Sequence, residues 1–128
     1  MTSLHILVVE DHPSSNHVLS ALLRKRGHVV TPALTARAAV EAATTKLFDL
    51  AIIDIGLDDD DGWHLLQELR QARLDLPALA VTGYGFESDK QKSRDAGFAA
   101  HLTKPLCMSA VETEIARLFP ATLAASRP

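Results

Sequence analysis

The strongest constraint on the fold is a series of five short, largely apolar segments that alternate with helical patterns. The segments are 4–9, 28–33, 48–54, 77–81 and 98–102. The first is β-branched and nearly all apolar, as expected of a parallel strand that is covered on both faces. The second contains Pro32, which favours an edge position because proline cannot donate to the strand ladder. The alternation predicts an α/β fold, with a parallel sheet and helices on both faces.

The predicted helices have recognisable ends. The first is expected to start near Pro13 and to end at Gly27, and three residues are available to cap it, namely Ser14, Ser15 and Asn16. Asp61 is a predicted cap for the third helix. The segment Glu87–Ala96 is polar all round and is the weakest helix by pattern. Residues 1–120 are predicted to form one domain, with 121–128 as a tail.

Composition excludes several classes of protein. A net charge of −3 without a basic stripe argues against nucleic acid binding. No apolar run approaches the roughly 20 residues of a membrane span, and no signal peptide is indicated. The lone cysteine, Cys107, excludes an intramolecular disulfide and is expected to be a small buried apolar side chain. We therefore expect a cytoplasmic, soluble domain that makes no membrane contact.

Polar side chains stand where the predicted strands end. Glu10 and Asp11 follow the first strand, and Asp54 ends the third. Thr82 ends the fourth, and Lys104 follows the fifth. Because ligands of open parallel sheets bind beyond the carboxyl ends of the strands, these residues are expected to form one site.

The residue types of this predicted site suit phosphoryl chemistry. Three carboxylates that converge repel one another unless a hard cation such as Mg²⁺ lies among them. A carboxylate beside such an ion can attack a phosphoryl group and form an acyl phosphate. A lysine then offsets the charge of the phosphoryl oxygens, while a hydroxyl donates a hydrogen bond to one of them.

Five motifs in order along the chain resemble the receiver domain of two-component response regulators. They are Val8–Asp11, Ile53–Asp54, Asp61–Gly62, Thr82–Gly83 and Lys104–Pro105. The resemblance extends from about Leu4 to Phe119. It implies a flavodoxin-like, doubly wound (βα)5 fold whose parallel five-stranded sheet has the order 2-1-3-4-5.

The resemblance also implies a phosphoacceptor and a metal site. Asp54 would accept the phosphoryl group from a phosphohistidine of a histidine kinase or a histidine phosphotransfer domain. Mg²⁺ (or Mn²⁺) would be bound by Asp11 directly, by Glu10 largely through water, by Asp54 and by the backbone carbonyl of Gly56.

Further roles are implied for the residues after the fourth and fifth strands. Lys104 would pair with the aspartate and then with the phosphoryl group, and its peptide bond to Pro105 would be cis. Thr82 would be the switch hydroxyl.

Some positions depart from the pattern of the family. The aromatic switch residue is replaced by His101, which could add a pH-dependent response. Gly56 and Tyr84 occupy positions that tune loss of the phosphoryl group, and neither has a carboxylate or amide to orient water. We therefore expect a phosphorylated state that lasts longer than in fast chemotaxis-type receivers. Asp58 stands where proline is frequent, which predicts a more mobile loop.

Two other functions use related folds or chemistry. A phosphatase of the haloacid dehalogenase type needs a second aspartate two residues after the nucleophile, where this chain has Gly56. A flavodoxin-like FMN protein must hold a phosphate in its first loop, where Glu10 and Asp11 would repel it. The residues favour a signalling module over either, and hence a protein that is not an enzyme.

The setting of the module stays open between two forms. Ile55–Leu57 and Asp95–Pro105 look most like receivers attached to hybrid sensor histidine kinases, and no output domain is expected after Phe119. The alternative is a stand-alone, single-domain response regulator. A homodimer through the fourth helix, fifth strand and fifth helix is a further expectation of the resemblance.

Overall fold

The computed structural model describes residues 3–57, 59, 61–72, 75–83 and 87–120. The predictions for Asp58, Tyr84 and the tail 121–128 lie outside these residues. Five strands are present: β1 His5–Val9, β2 Val29–Ala33, β3 Leu50–Asp54, β4 Ala78–Thr82 and β5 Ala100–Thr103. Five helices alternate with them: α1 Pro13–Lys25, α2 Ala36–Thr45, α3 Gly62–Ala72, α4 Glu87–Ala96 and α5 Met108–Leu118.

The strands form one parallel sheet in the order β2-β1-β3-β4-β5. This confirms the α/β architecture and the strand order that the resemblance implied. It also places β2, with Pro32, at an edge. The strand order reverses between β1 and β3, so the carboxyl ends of these two strands flank the position where ligands of such sheets bind.

Each face of the sheet carries its own apolar core. On one face, Leu65, Leu66 and Leu69 of α3 are almost completely buried together with Ala39 of α2. The other core includes three residues of α1 and α5, namely Leu23, Val111 and Ile115. All five residues of β3 and all five of β4 are buried. The central strands are therefore held firmly, and so are the residues at their carboxyl ends.

The helix ends match the sequence predictions except for the capping residues of α1. Gly27 and Gly97 adopt positive φ angles of 95° and 102° after α1 and α4, a conformation that glycine adopts with little strain. The predicted caps of α1 are wrong, because Ser14, Ser15 and Asn16 all lie inside the helix. The N-cap residue is His12, whose side chain makes no capping hydrogen bond.

The side chain of Asn16 does not cap α1, because it donates hydrogen bonds to the backbone at the strand ends. Its side-chain amide is buried and donates hydrogen bonds to the backbone carbonyls of Val8, Glu10 and Ala33, at 3.2, 3.1 and 3.0 Å. Buried carbonyls at the ends of β1 and β2 need such donors, because an unpaired one is costly. Asn16 thereby fixes the backbone from which Glu10 projects.

The prediction for Cys107 is also wrong, since the residue is exposed. It lies in the loop between β5 and α5, outside both cores. Its sulfur is 2.8 Å from the hydroxyl oxygen of Ser109, and this hydrogen bond lowers the pKa of the thiol.

Within the part of the chain that the structure describes, no helix combines the length and apolar character needed to cross a membrane.

Candidate functional site

The fold brings the predicted strand-end residues together at one edge of the sheet. Asp54 ends β3 and Thr82 ends β4, while Glu10 and Lys104 follow β1 and β5 directly. Glu10, Asp54 and Thr82 are 6%, 7% and 6% exposed. Charged side chains with so little exposure are rare unless they are paired, so their contacts define the site.

Lys104 joins the two buried carboxylates. Its Nζ atom lies 2.9 Å from Oδ2 of Asp54 and 3.0 Å from Oε2 of Glu10. The other oxygen of Asp54, Oδ1, accepts a hydrogen bond of 3.0 Å from the backbone N–H of Gly56. Both oxygens of Asp54 are therefore held by donors.

The backbone around Lys104 is fixed as well. Its N–H donates to the carbonyl oxygen of Thr82 at 2.7 Å. The peptide bond between Lys104 and Pro105 is cis. These features place the lysine and the threonine side by side at the ends of adjacent strands.

The two carboxyl groups are both buried, but their hydrogen bonds shift their pKa values in opposite directions. Desolvation by burial, together with the hydrogen bond to Asp54, raises the pKa of Glu10 to about 7, although Lys104 acts in the opposite direction. For Asp54 burial also acts to raise the pKa, but hydrogen bonds with Glu10, Lys104 and Gly56 outweigh it and lower the pKa. Asp54 is therefore the ionised carboxylate, and Glu10 holds the shared proton near neutral pH.

The pKa of Lys104 is raised, as expected for a lysine beside two carboxyl groups. Burial acts to lower it, but the hydrogen bonds to Asp54 and Glu10 and their negative charges raise it above its ordinary value. The lysine is consequently a permanent positive charge beside Asp54.

The donor atoms fit a hard divalent cation. The side chain of Asp11 is 10% exposed and lies next to Glu10, so Lys104 is accompanied by three carboxylates at this edge. When all three are ionised, the cluster has an excess of negative charge. Oxygen ligands of this kind, with a backbone carbonyl and water, are those that Mg²⁺ accepts.

Gly62 approaches the backbone at the carboxyl end of β3 closely. A Cβ atom at this position would lie 2.9 Å from the carbonyl oxygen of Asp54 and 2.9 Å from Cα of Ile55. The N–H of Gly62 donates to the carbonyl of Ile55 at 2.9 Å.

Asp61 caps α3 by accepting from the N–H of His64 at 2.7 Å, which confirms its predicted role as N-cap. The cap made by Asp61 and the close approach of Gly62 to β3 together give a physical reason for the Asp61–Gly62 pair. The sequence alone did not supply this reason.

His101 is part of a hydrogen-bonded chain that sequence reasoning missed. Nε1 of Trp63 donates to Oγ of Ser93 at 3.0 Å, and Oγ of Ser93 lies 3.0 Å from Nδ1 of His101. Because an indole N–H can only donate, Ser93 accepts from Trp63 and has its own hydrogen available for His101. Ser93 is completely buried. Ser93 is one of two serines in the mainly charged helix α4, so the sequence did not single it out.

Asp59 also has a role that the sequence did not reveal. Asp59 is exposed to solvent, and its carboxylate accepts hydrogen bonds from the N–H groups of Ala36 and Arg37 at 3.0 and 3.1 Å. These bonds lower its pKa and tie the loop after β3 to the start of α2. Pairing across 23 residues leaves no local pattern in the sequence.

An apolar cleft of about 620 Å³ opens beside the carboxylates. It lies between α1 and the segment that follows β5. Its lining includes three charged residues of the site, Glu10, Asp54 and Lys104. An apolar wall is formed by Val18, Leu19, Leu22, Leu106 and Met108. Val18 is 56% exposed, so α1 presents apolar surface to solvent next to Asp54.

Comparison with known proteins identifies similar sequences over most of the chain. Residues 6–116 match the family model described as response regulator receiver domain. An uncharacterised 14.6 kDa protein of Leptolyngbya boryana is 33% identical over 108 residues, which are 83% of this chain and 82% of that protein.

Two longer relatives match through only part of their length. The virulence transcriptional regulatory protein PhoP of Salmonella typhimurium is 34% identical over 91% of this chain, which spans 52% of that protein. The sensor histidine kinase RcsC of Salmonella typhi is 30% identical over 87% of this chain, which spans 12% of the kinase.

Solved structures agree on the fold. A CheY-like response regulator receiver domain protein from Methanospirillum hungatei superposes with a TM-score of 0.83 and 28% identity over 91% of this chain and 94% of that chain. A two-component response regulator from Clostridium difficile reaches a TM-score of 0.87 at 20% identity, over 92% of this chain and 97% of that chain.

Proposed function

Because this chain belongs to the response regulator receiver domain family, we propose that it accepts a phosphoryl group on Asp54 in two-component signalling. The donor is a phosphohistidine of a partner histidine kinase or histidine phosphotransfer domain. The observation that carries the proposal is the buried Asp54 carboxylate, which is ionised and lies 2.9 Å from Nζ of Lys104.

Each residue of the site has a separate role in this proposed phosphoryl transfer. An oxygen of Asp54 attacks phosphorus, a P–O bond forms, the P–N bond of the phosphohistidine breaks, and the imidazole leaves as the neutral base after protonation. Lys104 is close enough to follow the negative charge from the carboxylate to the phosphoryl oxygens. The hydroxyl of Thr82, at the end of the adjacent strand, is proposed to donate a hydrogen bond to one of these oxygens.

A divalent cation, Mg²⁺ or Mn²⁺, is part of the proposal. Asp11, Glu10, Asp54 and the carbonyl of Gly56 would hold it, in keeping with the oxygen donors at this edge. When bound, the ion would offset charge on the phosphoryl oxygens. Glu10 would give up its proton, because a carboxyl group binds a metal ion in its ionised form.

The partner domain is proposed to approach across the apolar cleft beside α1. The cleft leads directly to Asp54 and Lys104, and the exposed Val18 offers an apolar contact at its rim. A partner that covers this surface would exclude water from the reacting groups.

The setting that we propose is the receiver of a hybrid sensor histidine kinase in the cytoplasm. The match to RcsC, a sensor histidine kinase, supports it. The second candidate is a stand-alone regulator, which the match to most of a 14.6 kDa protein favours. Phosphotransfer profiling against candidate kinases and phosphotransfer proteins would separate the two, since a hybrid receiver prefers its own kinase.

The site is tested by labelling with a small phosphodonor in the presence of Mg²⁺. Wild-type protein should become phosphorylated, and Asp54→Asn should not. Asp95→Asn is the matched control, because Asp95 is an exposed aspartate of α4 that contacts Gln91, and it should be labelled like the wild type. Labelling that survives in Asp54→Asn would refute the assignment.

The lifetime of the phosphorylated protein is a separate prediction. We propose slow loss of the phosphoryl group, because Gly56 has no side chain to orient an attacking water. Loss within seconds would contradict this prediction. The homodimer through α4, β5 and α5 also stays a proposal, to be checked by light scattering before and after phosphorylation.

A further inference from the structure

A histidine nitrogen lies beside the carboxylates of the site. Nδ1 of His12 is 3.4 Å from Oε1 of Glu10 and 3.4 Å from Oδ1 of Asp11. Within the described residues, the donor atoms of these three side chains all lie within 4.8 Å of one another. His12 therefore adds a nitrogen donor to an edge of the sheet that otherwise offers oxygen.

The spacing of these atoms is unlike that of ordinary hydrogen bonds. An N–H···O bond prefers a separation of about 2.7–3.2 Å, which is shorter than both distances from His12. Donor atoms around a four-coordinate ion with bonds of about 2.0–2.1 Å are separated by roughly 3.3–3.4 Å. The two distances from Nδ1 of His12 are thus close to the spacing that a small tetrahedral ion requires, and the two carboxylate oxygens lie within 4.8 Å of each other.

The contacts of Glu10 place one of its oxygens beside His12, where Oε1 also accepts a long hydrogen bond of 3.3 Å from the backbone N–H of His12. Glu10 gives Oε2 to Lys104, so Oε1 faces His12. The side chains of Glu10 and Asp11 are 8% and 10% exposed, whereas that of His12 is 73% exposed. His12 is the N-cap residue of α1, yet its side chain does not cap the helix. Two largely buried carboxylates and one accessible imidazole therefore place their donor atoms within 4.8 Å of one another.

This donor set differs from the one that Mg²⁺ prefers. Mg²⁺ takes oxygen ligands and keeps several waters, whereas an imidazole nitrogen suits zinc, nickel and other ions late in the first transition series. We propose that Glu10, Asp11 and His12 bind such an ion. Because Glu10 and Asp11 are shared with the site proposed for Mg²⁺, the two ions exclude each other.

The proposal is independent of phosphoryl transfer. Asp54 is not one of its three donors, and its test measures ion binding without any phosphodonor. Loss of labelling in Asp54→Asn and binding of a transition ion are therefore separate results.

The test is calorimetric titration of the metal-free protein with Co²⁺ and, separately, with Mg²⁺. His12→Ala should bind Co²⁺ at least about tenfold more weakly than the wild type, since one of three protein ligands is lost, while its affinity for Mg²⁺ should change less than about threefold. His17→Ala is the matched control, because His17 is an exposed histidine of the same helix, and it should bind both ions like the wild type. Mg²⁺ should also weaken Co²⁺ binding by competition.

Nuclear magnetic resonance of the six histidine rings gives a second measurement that needs no variant. The ring signals of His12 should show the largest shifts on addition of Co²⁺. The proposal is overturned if His12→Ala retains full affinity for Co²⁺, if His17→Ala loses as much, or if His12→Ala loses affinity for both ions equally. Equal losses would mean that His12 only supports the carboxylates.

Discussion

Two polar clusters in different parts of the fold are held together by different interactions, ion pairs in one and hydrogen bonds in the other. The cluster of Glu10, Asp54 and Lys104 connects the ends of β1, β3 and β5 through charged contacts of 2.9 and 3.0 Å. The chain from Trp63 through Ser93 to His101 connects α3, α4 and β5 through hydrogen bonds of 3.0 Å. Both groups join three elements, but only the first pairs a lysine with carboxyl groups.

The two groups would respond differently to a chemical change at Asp54. Adding a phosphoryl group to Asp54 would change the charge that Lys104 balances, so the charged cluster must rearrange. The Trp63–Ser93–His101 chain would respond only if β5 or α4 moved, because its hydrogen bonds depend mainly on the relative positions of these elements. The first group is therefore suited to receive the signal, and the second to report a displacement.

The largest expected effect is on the rate of phosphorylation when Lys104 is removed. Lys104→Ala leaves Asp54 and Glu10 without the cation between them. The rate with a small phosphodonor should fall about 10²–10³-fold, as when a preorganised electrostatic partner is lost. Lys46→Ala, at an exposed position, is the control and should react like the wild type. A fall of less than about threefold in Lys104→Ala would show that charge does not govern this region.

The next effect concerns the rigidity of the strand end that carries Asp54. In Gly62→Ala the new methyl group would lie 2.9 Å from the carbonyl oxygen of Asp54, and backbone shifts of this kind cost about 1–3 kcal/mol. Gly83→Ala is the control, because nothing lies within 4 Å of a Cβ atom there. Urea unfolding of both variants checks the prediction, and equal stabilities would refute it.

Sequence reasoning performed well for the charged cluster and poorly for the hydrogen-bonded chain. Asp54, Thr82 and Lys104 were placed correctly because the carboxyl ends of parallel strands always share an edge. Ser93 could not be found in this way, because its partners Trp63 and His101 are set by the packing of α4 against two other elements.

The same limit explains the other differences between sequence and structure. Asn16 was expected to cap α1, yet its amide satisfies backbone carbonyls of two strands. No local pattern predicted that the exposed Asp59 accepts hydrogen bonds from the start of α2. A pattern along the chain reports which face of an element is apolar, whereas polar partners across the fold depend on distances that only the assembled structure defines.

A third prediction uses the pH dependence of stability to test the charge of the cluster. The pKa of Glu10 is raised from 4.5 to about 7, so the folded state keeps a proton that the unfolded state has lost. Stability from this group is complete below pH 4.5 and is lost as the pH rises towards 7. This rise in the pKa of Glu10 corresponds to a folding free energy of about 3 kcal/mol at most. Because Asp54 shares the proton, we expect a loss of stability of about 2 kcal/mol.

The comparison of wild type with Glu10→Gln isolates this contribution. Without divalent ions, the stability of the wild type relative to Glu10→Gln should fall between pH 4.5 and pH 7.5. Burial lowers the pKa of His28, which acts in the opposite direction but is common to both proteins and cancels. Glu41→Gln, which changes an exposed glutamate, should parallel the wild type. Parallel curves for Glu10→Gln as well would refute the prediction.

The smallest expected effect separates the second region from the first. Ser93→Ala removes the hydroxyl that accepts from Trp63 and faces His101, and the loss of this buried link should cost about 1–2 kcal/mol in urea unfolding. The fluorescence of Trp63, the single tryptophan, should change because its N–H loses an acceptor. Ser109→Ala, at an exposed serine, should change neither property. Phosphorylation of Ser93→Ala should stay within about twofold of the wild type, since no charge near Asp54 is altered. A fall as large as that in Lys104→Ala would mean that the two regions act as one unit.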